Sequence, residues 1–367
     1  MTKILVTGAD GFIGKNLCIR AAELNYTVLP FTRSHALSDL PTMLNGADAV
    51  IHLAGINRPI TEDEFATGNA ELTLALCNTI AAQQHKPILL LASSTQVTQP
   101  NPYGASKLAA ENAVRNLASQ HDVRAHIYRL PNVFGKWCKP NYNSVVATFC
   151  HNISQDLPIQ INDANKALSL VYVDDVVNAF LEIIAGDNET VEQAIVPQYN
   201  TKLGELAALI KSFKESRNTG VVEPVGTGFT RALYSTYISY LTPQQFAYSL
   251  TKHADPRGEF VEMLKTQNSG QFSYFTAFPG VTRGGHYHHT KTEKFLVIRG
   301  SAKFGFRHII TNEQYEITTN GGEPQVVETV PGWTHDITNI GHEEMIVMLW
   351  ANEIFDRDKP DTIAEKV

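Results

Sequence analysis

The sequence predicts two folds in succession: an α/β domain built on a doubly wound parallel sheet, then an all-β domain of sandwich or barrel type. The first is indicated by short runs rich in Ile, Leu and Val at Lys3–Thr7, Thr27–Phe31, Ala49–Leu53, Pro87–Ala92 and Ala125–Leu130. Helical patterns at Lys15–Leu24, Glu71–Gln84 and Lys107–Gln120 separate them. Strands of that length alternating with helices imply a parallel sheet covered on both faces. A further strand–loop–helix reads from Leu168 to Ala185, with helices expected from there to about residue 250. The second fold is indicated by a change of texture after Asp255-Pro256-Arg257-Gly258. Alternating, aromatic-rich runs follow at Gln271–Phe278, Phe295–Ile298, Lys303–Phe306, Gln325–Thr329 and Met345–Trp350, divided by Gly, Asn and Pro turns. That is the pattern of antiparallel sheets. The expected domains are residues 1–245 and 246–367.

The bulk properties agree with a soluble two-domain enzyme. The chain has 367 residues, 43% of them hydrophobic and 18% charged, long for one core and comfortable for two. A formal net charge of -7 excludes non-specific nucleic-acid binding, which needs a basic face. The four cysteines, Cys18, Cys77, Cys138 and Cys150, have no CxxC spacing and read as reduced, buried thiols. A strand begins at Lys3, which leaves no room for a signal peptide, and no apolar run approaches the ~18 residues of a membrane span. The expected compartment is the cytoplasm.

The first strand runs directly into TGADGFIG, Thr7 to Gly14, and that into a helix. This is the context a dinucleotide-binding turn of Rossmann type requires. Gly8 permits the tight turn, Gly11 lets the backbone approach a pyrophosphate, and Gly14 lets helix and strand pack closely. Phe12 and Ile13 open the helix, whose N-terminus favours an anion. After the second strand the chain offers Arg33 where a carboxylate would select the ribose hydroxyl of NAD. A guanidinium there suits a 2′-phosphate, so NADPH is expected; a solvent-facing arginine is the alternative. Leu53 and Ala54, with Gly55, form the turn expected to flank the cofactor crevice, together with Asp48.

Tyr103 and Lys107, in YGASK, lie four residues apart at a helix start and so share one face. Asn101-Pro102 supplies a cap and a first-turn proline. A nearby ammonium should lower the tyrosine pKa from about 10, so that Tyr103 can protonate a carbonyl oxygen as hydride reaches its carbon. Ser94, just past the fourth strand, should hydrogen-bond the same oxygen, with Ser93 and Thr95 as alternatives. Ser94, Tyr103 and Lys107 are the candidate catalytic residues, and Tyr103 and Lys107 also the candidate contacts to the nicotinamide ribose.

In the all-β half, Gly280 opens a G-x5-HxH-x4-E-x6-G run that ends at Gly300. His286 and His288 alternate on one strand and so point to one face. Glu293 follows a turn, and His335 arrives from a later strand. Three imidazoles and a carboxylate are a normal ligand set for Zn²⁺, the expected ion, and equally open to Mn²⁺, Fe²⁺ or Ni²⁺. A cation beside a ketone oxygen would stabilise the charge left when the neighbouring carbon loses its proton. Tyr287, His289 and Lys291 are the local candidate bases.

The first ~245 residues resemble the extended short-chain dehydrogenase/reductases that act on nucleotide sugars, through the glycine turn, YGASK, Arg129-Leu130-Pro131-Asn132-Val133-Phe134-Gly135 and Val173-Asp174-Asp175-Val176-Val177. The resemblance places Asn132 in the substrate pocket and gives Asp174 and Asp175 a structural role beside it. Lys139, in the segment Trp137–Asn143, is a candidate diphosphate contact. The HxH run is similar to the first cupin motif. The second is partial: Gly332, His335 and Asn339 fit, but its proline is displaced by one. Reductase first and cupin second, the chain resembles the CapF/WbjC family of capsule and O-antigen enzymes. The resemblance implies that the cupin epimerises C3 of a UDP-4-keto-6-deoxy-N-acetylhexosamine. The reductase would then reduce C4 with NADPH to UDP-2-acetamido-2,6-dideoxy-L-talose, on the path to UDP-N-acetyl-L-fucosamine.

Other readings are a reductase whose cupin only binds sugar and dimerises, an NADPH sensor without turnover, and an iron dioxygenase. The Tyr–Lys pair counts against the sensor. Cupins often pair across a twofold axis, so a homodimer joined through the C-terminal half is expected.

Overall fold

The computed structural model describes residues 2–186 and 192–367. It divides into two compact units. One comprises residues up to Ile210 with Ala232–Leu241, the other Lys211–Arg231 with Thr242–Val367. The division is therefore not the single cut at 245 that the sequence suggests. The segment after Gly220 is tied to the second unit by Val222 N donating to Lys265 O at 2.7 Å and Lys265 N to Gly220 O at 2.7 Å.

The first unit is built on a parallel sheet in the order Thr27–Phe31, Lys3–Thr7, Ala49–His52, Ile88–Ser94, Ala125–Leu130 and Glu192–Gln193. Its central strands are largely apolar because both faces are covered. Ile4, Val6, Ile51, Leu90, Tyr128 and Leu130 point into one core, whereas Leu5, Val50, Leu89, Leu91, Ala125 and Ile127 point into the other. Alternate side chains thus serve opposite helix layers. The chain reverses direction across the sheet at Lys3–Thr7, whose neighbours are the second and third strands. The crevice at such a switch point is where open α/β sheets bind ligands. A small separate sheet joins Asn132–Phe134, Ala167–Tyr172 and Tyr199–Lys202. The stretch expected to be helical beyond Ala185 therefore includes strands before the helices Leu203–Thr219 and Gly228–Ile238; its residues 187–191 lie outside those described.

Besides residues 211–231, the second unit holds two antiparallel sheets. One runs Lys252–Asp255, Gly258–Thr266, Gly270–Ala277, Met345–Ala351, Glu293–Arg299 and Val326–Glu328; the other runs Gln314–Asn320, Ser301–His308, Trp333–Asn339, Thr282–Tyr287 and Ile363–Ala364. The aromatic runs of the sequence supply its core, among them Phe275, Phe295, Phe304 and Phe306. Strands Gly258–Thr266 and Gln314–Asn320 had no signal of this kind. Their side chains are largely half-buried or exposed, so no alternation of apolar residues marks them. Together the two units form a Rossmann-type sheet followed by a cupin. Among the described residues no helix is long and apolar enough to cross a membrane.

Phe180 is fully buried, with its ring centroid 5.0 Å from that of Tyr128. Phe180→Ala should cost the first unit about 3–5 kcal/mol, seen as an earlier denaturant midpoint, with metal binding by the second unit unchanged.

Candidate active sites

At the glycine turn the backbone folds so tightly that side chains have no room. Gly8 has φ +68°, and a Cβ on it would lie 2.8 Å from Ala54 N. A Cβ on Gly14 would lie 2.3 Å from Gly8 O. The helix that follows, Phe12–Glu23, begins at Gly11 with no side-chain cap and no acidic residue in its first turn. Its free N–H groups face the switch point, the cradle a pyrophosphate needs. Phe12 and Ile13 turn back onto the core. Leu53 N and Ala54 N both donate to Thr7 Oγ1 at 3.2 Å, which fixes the crevice wall. Thr7 Oγ1 in turn lies 2.6 Å from Nδ1 of His52, whose Nε2 is 2.9 Å from Thr73 Oγ1. Burial first, and Lys107 second, lower the His52 pKa to about 3. Arg33 stands exposed two residues past the second strand. Asp48 lies at the other end of the third strand, where its Oδ2 accepts from Lys3 N at 2.7 Å. The expectation that Asp48 flanks the cofactor is therefore wrong, because ligands gather at the carboxyl ends of these strands.

The helix Pro102–His121 starts with Asn101 as cap, Oδ1 accepting from Gly104 N at 2.8 Å, and proline in its first turn. Tyr103 and Lys107 project from its first two turns. Ser94 is the last residue of the fourth strand, not one beyond it, and its hydroxyl lies near enough to Tyr103 to act on that phenol's pKa. Neighbouring Ser93 points the other way and donates to Glu111 Oε1 at 2.6 Å. Burial raises the Tyr103 pKa, with Ser94 opposing. The expected lowering by Lys107 is absent because that ammonium is turned aside, donating to Ala92 O at 3.4 Å. A Cβ on Gly55 would sit 3.2 Å from its Nζ. Lys107 itself is lowered to about 8 by burial, against the pull of Glu111. Asn132 is exposed and donates to Ser169 O at 3.2 Å. Lys139, also exposed, lies 5.4 Å from the Tyr142 ring centroid, which Arg58 approaches to 5.4 Å as well. Asp174 pairs with Lys136 at 2.5 Å.

In the second unit His286, His288, Glu293 and His335 converge, with their donor atoms all within 4.8 Å of one another. His286 ends on strand Thr282–Tyr287, and His288 lies one residue past it, not on the strand as expected. His335 is brought alongside by the pairing of His286 with His335 across neighbouring strands. His288 Nδ1 is bonded to the carbonyl of Asp361 at 2.5 Å. A carbonyl only accepts, so Nδ1 carries the proton, and in the neutral ring Nε2 turns its lone pair toward Glu293 Oε2, 3.2 Å away. His335 Nε2, 3.4 Å from the same oxygen, makes no hydrogen bond. Buried lone pairs that face one another are repulsive without a cation between them, so these residues fit a divalent metal. Burial lowers His286 to about 4, which keeps it neutral and ready to ligate. Burial pushes Glu293 up, but the groups around it, the Lys291 ammonium among them, outweigh burial and hold the carboxylate well below its usual range.

Of the three candidate bases, Lys291 reaches the cluster, Nζ 2.9 Å from Glu293 Oε1. Tyr287 and His289 lie edge to face against each other, 5.5 Å between ring centroids. Two residues were not assigned a role from sequence. Asp361 accepts from the backbone N–H of His289, Thr290 and Lys291 at 2.7–2.9 Å, a role only the fold reveals. Arg283 lines the same cavity as His286, Glu293 and His335; the glycine pair after it was the available signal.

Residues 4–196 match the NAD dependent epimerase/dehydratase family, and residues 253–363 match a polysaccharide biosynthesis C-terminal domain. The chain is 54% identical over 99% of its length, and 98% of the relative's, to a protein of Pseudomonas aeruginosa strain PA103, UDP-2-acetamido-2,6-beta-L-arabino-hexul-4-ose reductase. It superposes on the capsular polysaccharide assembling protein CapF from Staphylococcus aureus with a TM-score of 0.91 and 41% identity, covering 99% of this chain and 100% of that one. UDP-glucuronic acid 4-epimerase from Bacillus cereus, 17% identical with a TM-score of 0.56 over 65% of this chain and 98% of its own, shares the fold alone.

Gly14→Ala should abolish dinucleotide binding while leaving bound metal unchanged, because its Cβ would meet Gly8 O and Ala9 O. His288→Ala should do the reverse. Fluorescence titration of the dinucleotide and elemental analysis of both variants check this double dissociation.

Proposed function

The chain belongs to the family of the Pseudomonas reductase and Staphylococcus CapF, and on that premise we propose that it is a bifunctional nucleotide-sugar enzyme. In this reading the second unit inverts C3 of a UDP-4-keto-6-deoxy-N-acetylhexosamine. The first then reduces C4 with NADPH to UDP-2-acetamido-2,6-dideoxy-L-talose, toward UDP-N-acetyl-L-fucosamine. The observation that carries it is the convergence of three imidazoles and a carboxylate within 4.8 Å in the same chain as a Ser–Tyr–Lys ketone-reducing set. When bound, the nicotinamide supplies the hydride, and the divalent ion, which we assign as Zn²⁺, supplies Lewis acidity at the ketone.

The protein's own groups do the rest. Tyr103, kept protonated by its burial, donates a proton to the C4 oxygen as that oxygen gains charge. Ser94 hydrogen-bonds the same oxygen and sets its direction. Lys107 holds the nicotinamide ribose through its ammonium. Gly8, Gly11 and Gly14, with the helix opened by Phe12 and Ile13, hold the pyrophosphate, Leu53 and Ala54 wall the crevice, and Arg33 selects the 2′-phosphate. Asn132 and Lys139 contact the sugar and its diphosphate. His286, His288, Glu293 and His335 hold the metal. Reduction destroys the ketone that acidifies C3–H, so epimerisation comes first. We further assign a cytoplasmic homodimer, joined through the cupin.

Below about pH 8 Lys107 is charged, and above it the ammonium is lost. The reduction rate should therefore fall as pH rises through about 8, and a rate level through pH 9 contradicts the role given to Lys107. In D₂O without NADPH, the C3 proton signal of the ketosugar should disappear with wild type and Tyr103→Phe, and persist with His288→Ala. Persistence with wild type would leave a reductase whose second unit serves binding and assembly.

A further inference from the structure

Strand Thr282–Tyr287 contains an irregularity with a chemical consequence. Its pairing with Trp333–Asn339 runs in register to Gly284, opposite Asp336, and resumes with His286 opposite His335, so Gly285 is an extra residue. On a regular strand, residues three apart point to opposite faces. The bulge restores them to one face, and Arg283 and His286 both line the interior cavity of about 150 Å³. The local backbone is one that only glycine takes easily: Gly284 and Gly285 have φ of +98° and +79°, and a Cβ on Gly284 would lie 2.9 Å from His335 O. Two glycines are thus committed to turning an arginine toward the ligand cluster.

The guanidinium so placed is not satisfied. Its side chain is 15% exposed, and Nε and Nη2 are buried without a hydrogen-bond partner. Phe275 lies beneath it, ring centroid 5.3 Å from Cζ. The nearest carboxylate, Asp255, is 4.0 Å away and is already held by Arg257 at 2.6 Å. Glu293 is engaged by Lys291, and Asp336, which lines the same cavity, is paired in register with Gly284. A buried cation in an aromatic-walled cavity, paired only at 4.0 Å with a carboxylate that a second arginine holds, is costly unless an anion completes it. The cavity has room for a small ring or a carboxylate-sized group, not a nucleotide.

We propose that Arg283 is a catalytic residue of the second site, whose Nε and Nη2 bind an anionic oxygen of the substrate. That oxygen is the C4 enolate: when C3–H loses its proton to a base, the electron pair moves onto the ketone oxygen, and Arg283 meets the charge as it forms. This rests on the epimerase reading. The shared chemistry, an anionic oxygen, could also come from the diphosphate, and the kinetics separate the two.

The test uses the full chain as wild type, Arg283→Gln and Arg283→Lys, with bound metal and thermal melting confirming that each variant folds. In D₂O exchange at C3, an enolate contact lowers kcat by ~10²-fold or more in Arg283→Gln with KM nearly constant, and Arg283→Lys recovers part of it. A diphosphate contact raises KM with kcat kept, which overturns the enolate assignment. A second arm is independent of turnover: metal-free protein is titrated with oxalate by calorimetry. Wild type should bind it roughly tenfold or more tightly than Arg283→Gln; equal affinities overturn the anion site. If wild type shows no exchange yet binds oxalate through Arg283, the epimerase reading fails and the anion site stands.

Discussion

A charge removed from water has to be compensated, and this constraint organises both halves of the chain. Lys107 is buried at the base of the first site, with Glu111 one helical turn beyond it as its counter-charge. Glu111 is itself fully buried and satisfied by Ser93, Arg115 and Arg129. Glu293 is buried in the second site and paired with Lys291. In the second site Glu293 and His335 line the cavity, and His335 Nε2 is left without a partner there. Pairs that served stability alone would be closed on both sides.

The second common device is backbone irregularity bought with glycine. At the first site Gly8 lets the turn press against Ala54, so a dinucleotide would meet main-chain N–H groups and not side chains. At the second, Gly284 and Gly285 re-aim a strand so that Arg283 and His286 share a face. Regular sheet on either side holds these irregularities in place: the parallel strands Lys3–Thr7 and Ala49–His52 in one unit, the antiparallel Ser301–His308 and Trp333–Asn339 in the other.

Much of this was legible in the sequence because the residues concerned obey local rules. The central strands are unbroken apolar runs since both faces are buried, and the glycine turn and YGASK combine type with spacing. The clustering of His286, His288 and Glu293 was legible for the same reason, since HxH and the following glutamate are close in sequence. What escaped depends on long-range geometry. Strand Gln314–Asn320 is mostly exposed and carries no apolar alternation. Asp361 reaches the loop at His289–Lys291 from seventy residues away. The tyrosine pKa was misjudged because spacing put Lys107 on the same helical face as Tyr103 but could not show its ammonium turned toward Ala92. Arg283 was in plain view, yet strict alternation would have pointed it away from His286.

The account makes one chain perform two steps in a forced order: proton removal beside a ketone, then destruction of that ketone by reduction. The most direct measurement is the deuterium content at C3 of the alcohol formed by wild type with NADPH in D₂O, read by mass spectrometry on product collected in a single turnover. Sequential action predicts one solvent-derived deuterium at C3 in essentially every product molecule. Product that keeps the original hydrogen at C3 would contradict it, for the ketone would then have been reduced without the second site having acted.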